Sequence, residues 1–247
     1  RRLADLGIPA VTVMGVAVDR APDVDAALVT RYLDYSTTYR ALFSEPRGMH
    51  PSTLLIDALV ELLVRLHLSG FFWGDCSLSN TLFRLDAGAL AAYVVDVETS
   101  ELHPALSDGQ REDDLDRACE RLAGELFDLE ASGRLGTDID PLGLVVDLTA
   151  RYRALWDELT SEWEVAPGEE QQRVVERLTR LNALGFDVDE VELVDSGTDR
   201  ARLRVTTRVR EPGHHRSLLH RRTGLLAQEN QARRLLNDLA SFRAWLE

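Results

Sequence analysis

The segment Phe71-Phe72-Trp73-Gly74-Asp75-Cys76-Ser77-Leu78-Ser79-Asn80, answered by Val94-Val95-Asp96-Val97-Glu98, constrains this chain more than any other part of it. A Gly-Asp pair followed by an Asn is ordinary in solvated loops. The frame around it is what narrows the possibilities. From Ser52 to Ser69 the apolar residues Leu54, Leu55, Ile56, Leu59, Val60, Leu62, Leu63, Val64, Leu66 and Leu68 cover most of a helix's circumference. A helix apolar nearly all round is buried. Ser52 can cap its start and Gly70 can stop it. A buried helix therefore delivers the chain into Gly74-Asp75. Thr81 to Leu85 and Leu90 to Val95 then read as two strands about a turn at Asp86-Ala87-Gly88. That hairpin returns Asp96 to the neighbourhood of Asn80.

Asp75, Asn80 and Asp96 are the chemically useful oxygens of this frame. Phosphoryl transfer to a hydroxyl needs one carboxylate that orients the acceptor and takes its proton late, so an ordinary carboxylate pKa suffices. It also needs oxygen ligands for the Mg²⁺ that bridges the nucleotide phosphates. Asp75 is the candidate catalytic residue. Asn80, through its amide oxygen, and Asp96 are the candidate metal ligands. Glu98 lies two residues after Asp96, so both face the same way on an extended segment. It is either a further metal ligand or a surface Glu. Cys76 has no adjoining His and reads as a packing residue rather than a nucleophile.

The joint pattern resembles the catalytic loop and metal-binding Asp of the protein-kinase-like superfamily, clearly over residues 71–98 and loosely over 11–130. The resemblance implies ATP and Mg²⁺ as cofactors. It places Tyr32 and Leu33, at the end of a strand entering the hinge, against the nucleotide. It also implies a buried Asp that anchors the catalytic loop, for which Asp114 and Asp116 are the candidates. Trp73 stands where protein kinases have His, and Val97-Glu98 where they have Phe-Gly. Cys76-Ser77-Leu78-Ser79 lacks their Lys-Pro. These departures suit small-molecule, glycan or lipopolysaccharide kinases better. Over nearly its full length the chain is most similar to an actinobacterial family of unknown function. That family joins a lipopolysaccharide-kinase-like domain to its own C-terminal domain. Glu211-Pro212-Gly213-His214-His215-Arg216 and Gln228-Glu229-Asn230-Gln231-Ala232-Arg233-Arg234 carry the second half of the resemblance.

Two kinase parts are missing from the 247 residues: there is no Gly-x-Gly, and all 28 basic residues are Arg, with no Lys. The chain opens on Arg1, so one expectation is an upstream segment that supplies both. The alternative is a degenerate, pseudokinase-like binding or scaffold module. With 42 acidic residues the net charge is −14. That makes a poor general binder of nucleic acid or anionic membrane. The expected partners are a nucleotide and a small-molecule or glycan acceptor. Two cysteines exclude a disulfide framework and point to a reducing cytoplasm. No apolar run reaches the ~18 residues of a membrane span.

Elsewhere the pattern predicts strands over 11–18 and 26–33 with a turn between, and helices over 113–130 and 141–163. After a break at Pro167-Gly168 come a helix over 169–184, strands over 188–194 and 201–209, and helices over 214–222 and 228–246. The expectation is an α+β protein. A protein-kinase-like domain covers 1–166, with a small-lobe remnant over about 1–35 and a mostly helical large lobe over about 36–166. A small α/β appendage covers 167–247. His214, His215 and His220 read as polar helix-start residues before a metal site. Arg202, Arg204 and Arg208 read as a solvated strand face before an anion site.

Overall fold

A computed structural model describes residues 2–21, 24–44, 51–86, 89–166, 168–183, 187–195, 201–208, 214–227, 231–236 and 238–239. The protein is mixed α/β, and among the described residues the strands form four small antiparallel groups.

The chain enters through α1 (Arg2–Asp5) and an extended stretch around Ala10. It then forms a two-stranded ribbon, β1 (Val13–Ala21) and β2 (Val24–Thr30). Both strands reach further into the turn than expected, because their β-branched and small residues keep pairing to Ala21 and Val24. The Pro22 turn itself lies outside the described residues. β2 stops at Thr30, so Tyr32 and Leu33 lie beyond the strand rather than in it. β3 (Ser36–Thr37), α2 (Tyr39–Ser44) and α3 (Pro51–Leu68) follow.

α3 is the centre of the core. Leu55, Ile56, Leu59, Val60, Leu62, Leu63, Val64 and Leu66 are all buried. Each such side chain contributes about 1.5–3 kcal/mol when fully removed from water. Pro51 occupies the first helical position, where its absent N–H is not missed, and Ser52 is inside the helix rather than its cap. The expected stop holds: Gly70 has φ +74°, and a Cβ there would collide with the His103 carbonyl oxygen.

β4 (Phe71–Phe72), β5 (Thr81–Asp86), β6 (Ala89–Val94) and β7 (Glu101–Leu102) follow α3. β5 and β6 form the expected hairpin, with β3 on its outer edge. The register sets Thr81 opposite Val94 and Ser36 opposite Arg84. On the other edge Val94 N donates to Pro9 O at 2.9 Å and Val11 N to Val94 O at 3.1 Å. β4 pairs with β7, closing the chain on both sides of residues 73–100.

α4 (Asp108–Ala131) starts earlier than 113. Ser107 caps it with a capping box: its hydroxyl accepts from Gln110 N, and the Gln110 side chain accepts from Ser107 N. α5 (Pro141–Thr160), capped by Asp140, ends short of 163. Trp163 instead belongs to β8 (Trp163–Val165). An aromatic residue suits either element, and β8 pairs antiparallel with β10 below. α6 (Glu170–Ala183), β9 (Asp187–Asp195), β10 (Ala201–Arg208) and α7 (His214–Thr223) complete the described elements. The third sheet runs β8-β10-β9, and Leu181 of α6 joins the core built on α3. Arg177 of α6 stands over the Trp163 ring and donates to the carbonyls of Glu158 and Ser161. A smaller apolar cluster gathers Leu219, Ala232 and Leu236. Residues 231–236 and 238–239 are helical; the rest of the helix expected over 228–246 lies outside the described residues.

Candidate functional site

The loop from Trp73 to Asn80 leaves β4 and enters β5. Trp73, Cys76 and Leu78 point into the core, while Asp75 is half-buried and Ser79 is exposed. Gly74 makes this possible. It has φ +77°, and a Cβ would stand 2.8 Å from the Thr99 carbonyl oxygen. Thr99 in turn donates its hydroxyl to Trp73 O at 3.0 Å.

Asp114, fully buried in α4, holds the start of the loop. Its Oδ2 accepts from Trp73 N at 2.7 Å and its Oδ1 from Gly74 N at 2.8 Å. Asp116 is exposed, so the anchoring role expected of one of the two falls to Asp114. A carboxylate only accepts, so the His67 Nε2 at 3.1 Å from Asp114 Oδ2 is the donor. His67 Nδ1 then accepts from the Tyr152 hydroxyl at 2.5 Å. Burial pushes the Tyr152 hydroxyl well above its ordinary pKa, so it keeps the proton it donates. A buried chain from α5 through α3 and α4 thus ends on the two backbone N–H groups before Asp75.

Glu125, three turns further along α4, holds the far side. Its carboxylate accepts from Leu78 N at 2.7 Å, from Ser79 N at 3.0 Å and from the Ser79 hydroxyl. Between these anchors Arg121 Nε stands 3.0 Å from Asp75 Oδ1. Asp114, Arg121 and Glu125 are spaced i, i+7 and i+11, one face of the helix. Sequence reasoning found the first and missed the other two. The signal was present as charged residues at helical spacing on an otherwise half-apolar helix.

The structure joins Asp75 and Asn80 directly. Asn80 Nδ2 donates to Asp75 Oδ2 at 3.0 Å and to Asp75 O at 3.3 Å. It joins Asp96 to the same loop through the backbone. Trp73 Nε1 donates to Asp96 O at 2.9 Å, and Val95 N donates to Asn80 O at 3.0 Å. Glu98 is exposed, and its N–H donates to Asp96 Oδ1 at 3.0 Å. Residues 96–98 are therefore a turn, not the extended segment that would point both carboxylates one way. Tyr32 is 77% exposed and Leu33 half-buried. No hydrogen bond or ion pair among the described residues links either of them to the loop.

Burial, first of all, drives the Cys76 thiol well above its ordinary pKa, which keeps it protonated and fits packing rather than attack. Among the described residues no group of three His, Cys, Asp or Glu side chains gathers, at this loop or around His215 and His220. On β10 the register sets Arg204 opposite Glu192 and Thr206 opposite Glu190.

Comparison with proteins of curated function returned no match. A solved structure titled "WaaP in complex with acyl carrier protein" is similar at 20% identity and a TM-score of 0.39, over 63% of this chain and 73% of that one. The model of a family described as a domain of unknown function (DUF4032) matches residues 154–247, from within α5 through the rest of the chain.

Proposed function

We propose that this chain is a phosphotransferase of kinase-like fold that moves the γ-phosphate of ATP, with Mg²⁺, to a hydroxyl of a small molecule, sugar or glycan. One observation carries the reading: a single loop, pinned at both ends by α4, holds Asp75 and Asn80 side chain to side chain and is tied to Asp96 by the Trp73 indole. Asn80 commits its amide nitrogen to Asp75, and no hydrogen bond from the described residues reaches its amide oxygen. Asp96 commits Oδ1 to Glu98 N and keeps Oδ2. Two protein oxygens without a third acid suit Mg²⁺, which retains waters and phosphate oxygens instead of entering an all-protein cage. When bound, the ion would neutralise charge on the β- and γ-phosphates. Glu98 is at most a secondary ligand. Asp75 orients the acceptor hydroxyl and receives its proton.

The register supports a place for the rest of the nucleotide. Ser36 is opposite Arg84, four residues up β5 from Asn80, or about 13 Å at the usual strand rise. Tyr32 and Leu33 precede Ser36, so the base would lie toward them and the phosphates toward Asp96. No described helix is long and apolar enough to cross a membrane, and a nucleotide-dependent reaction suits the cytoplasm. In this reading residues 1–166 perform the chemistry and residues 167–247 are the appendage.

A pseudokinase-like binding module is the second reading. The feature that keeps it beside the first is that these 247 residues themselves supply no ammonium to the α/β-phosphates. Asp75→Asn separates the two. In an enzyme it keeps Mg·ATP binding within several-fold and lowers ATP turnover by about 10²-fold or more. Wild-type turnover in the variant would remove Asp75 from the mechanism, and binding without turnover in the wild type would establish the module.

A further inference from the structure

Arg121 is in an unusual position for an arginine of this chain. The other ion-paired arginines of α4 and α5, namely Arg111, Arg117, Arg151 and Arg153, meet acids that take no part in the proposed chemistry. Arg121 meets Asp75. Its Nε lies 3.0 Å from Asp75 Oδ1, yet Oδ1 is enclosed and accepts no directed hydrogen bond. The contact is therefore one of charge, and the N–H vectors of the guanidinium aim elsewhere. No acceptor among the described residues takes a hydrogen bond from either terminal nitrogen. The Arg121 side chain is 61% exposed and that of Asp75 33%. Solvent therefore reaches both partners of the contact, although Oδ1 itself is covered.

We propose that Arg121 is an anion subsite beside Asp75, so that the acceptor is a hydroxyl compound that also carries a phosphate or carboxylate. This deepens the phosphotransferase reading and rests on it for the word acceptor. The planar fork of a guanidinium matches either oxyanion with two parallel N–H donors. An anionic acceptor approaches a protein of net charge −14 and then the Asp75 carboxylate, so it needs a local cation to hold it there. A neutral acceptor needs none. Arg121 would supply the cation: its Nε stands against Asp75, and its terminal nitrogens bind the oxyanion. α4 makes the position rigid, because Asp114 and Glu125 on the same face already grip the loop.

The test uses three matched three-carbon probes, glycerol, glycerol 3-phosphate and glycerate, titrated calorimetrically into the full chain at low ionic strength without nucleotide. The expected result is that both anions bind at least about tenfold more tightly than glycerol, the scale of a charged hydrogen-bonded pair. Phosphate ahead of glycerate, or the reverse, assigns the anion. Arg121→Gln should abolish the preference and Arg121→Lys should restore part of it. Asp75→Asn should keep it, which separates anion binding from the chemistry. Equal binding of the three probes by the wild type, or a preference that survives Arg121→Gln, overturns the subsite. Loss of the preference in Arg121→Gln together with failure of the wild type to turn over ATP keeps the subsite and overturns the phosphotransferase.

Discussion

The Trp73–Asn80 loop and the β1–β2 ribbon of the same protein are held in opposite ways. The loop is short of regular structure yet fixed at nearly every residue. Asp114 takes Trp73 and Gly74, Glu125 takes Leu78 and Ser79, and Asn80 takes Asp75. The ribbon is paired strand to strand, yet Met14, Val16, Val18 and Leu28 are 57–64% exposed. Its two strands pair only along their shared edge, with register shifts after Val13 and after Val18, and nothing in the described residues covers its apolar side chains. The contrast teaches where precision is located. Strand pairing makes a ribbon, but charged acceptors from a neighbouring helix, Asp114 buried and Glu125 half-buried, make a site, because each fixes a donor in direction as well as distance.

The comparison can be broken most severely at Asp114. Asp114→Ala leaves the N–H groups of Trp73, Gly74 and His67 facing a dry void. Each orphaned buried donor costs about 1–3 kcal/mol, so the expected loss is about 3 kcal/mol or more by urea unfolding. A variant as stable as the wild type would mean that the loop does not depend on α4. Gly74→Ala comes next, read against Gly133→Ala. Both glycines have positive φ, but only at Gly74 does a Cβ meet backbone, while at Gly133 nothing lies within 4 Å. The Gly133 change should cost about 1–2 kcal/mol from backbone conformation alone, and the Gly74 change should exceed it and lower nucleotide turnover as well. Equal costs at the two positions would show the Thr99 contact to be irrelevant. At the small end lies Val16→Thr in the ribbon, 64% exposed, expected to change stability by no more than about 0.5 kcal/mol. A large loss there would reveal a cover for the ribbon.

Much of this was legible in the residues. The Asp75–Asn80 spacing, the buried α3 and the β5–β6 hairpin each follow from local rules: helix periodicity, strand alternation, and glycine where the backbone must turn. Asp114 was legible only as one of two, since choosing it over Asp116 needs the helix's rotation about its axis. Arg121 and Glu125 were not found at all. A charged residue at i+7 or i+11 acquires a role only when the helix lies across a loop more than forty residues earlier, and that is tertiary information. The end of α5 was misjudged for a related reason. Trp163 suits helix or strand, and pairing with Leu203 decided between them. The turn at 96–98 was missed because Asp96 bonds the backbone two residues on, a competition that sequence alternation does not register.

The central claim is that this loop and Asp96 together make a Mg·nucleotide site, and Asp96→Ala tests it most directly. Mg·ATP is titrated calorimetrically into the wild-type chain and into the variant, with the thermal melt of each as the control for folding. The account predicts wild-type binding that disappears when Mg²⁺ is withheld, and a variant that melts as the wild type does but no longer binds Mg·ATP. Unchanged Mg·ATP affinity in a folded Asp96→Ala protein would contradict it.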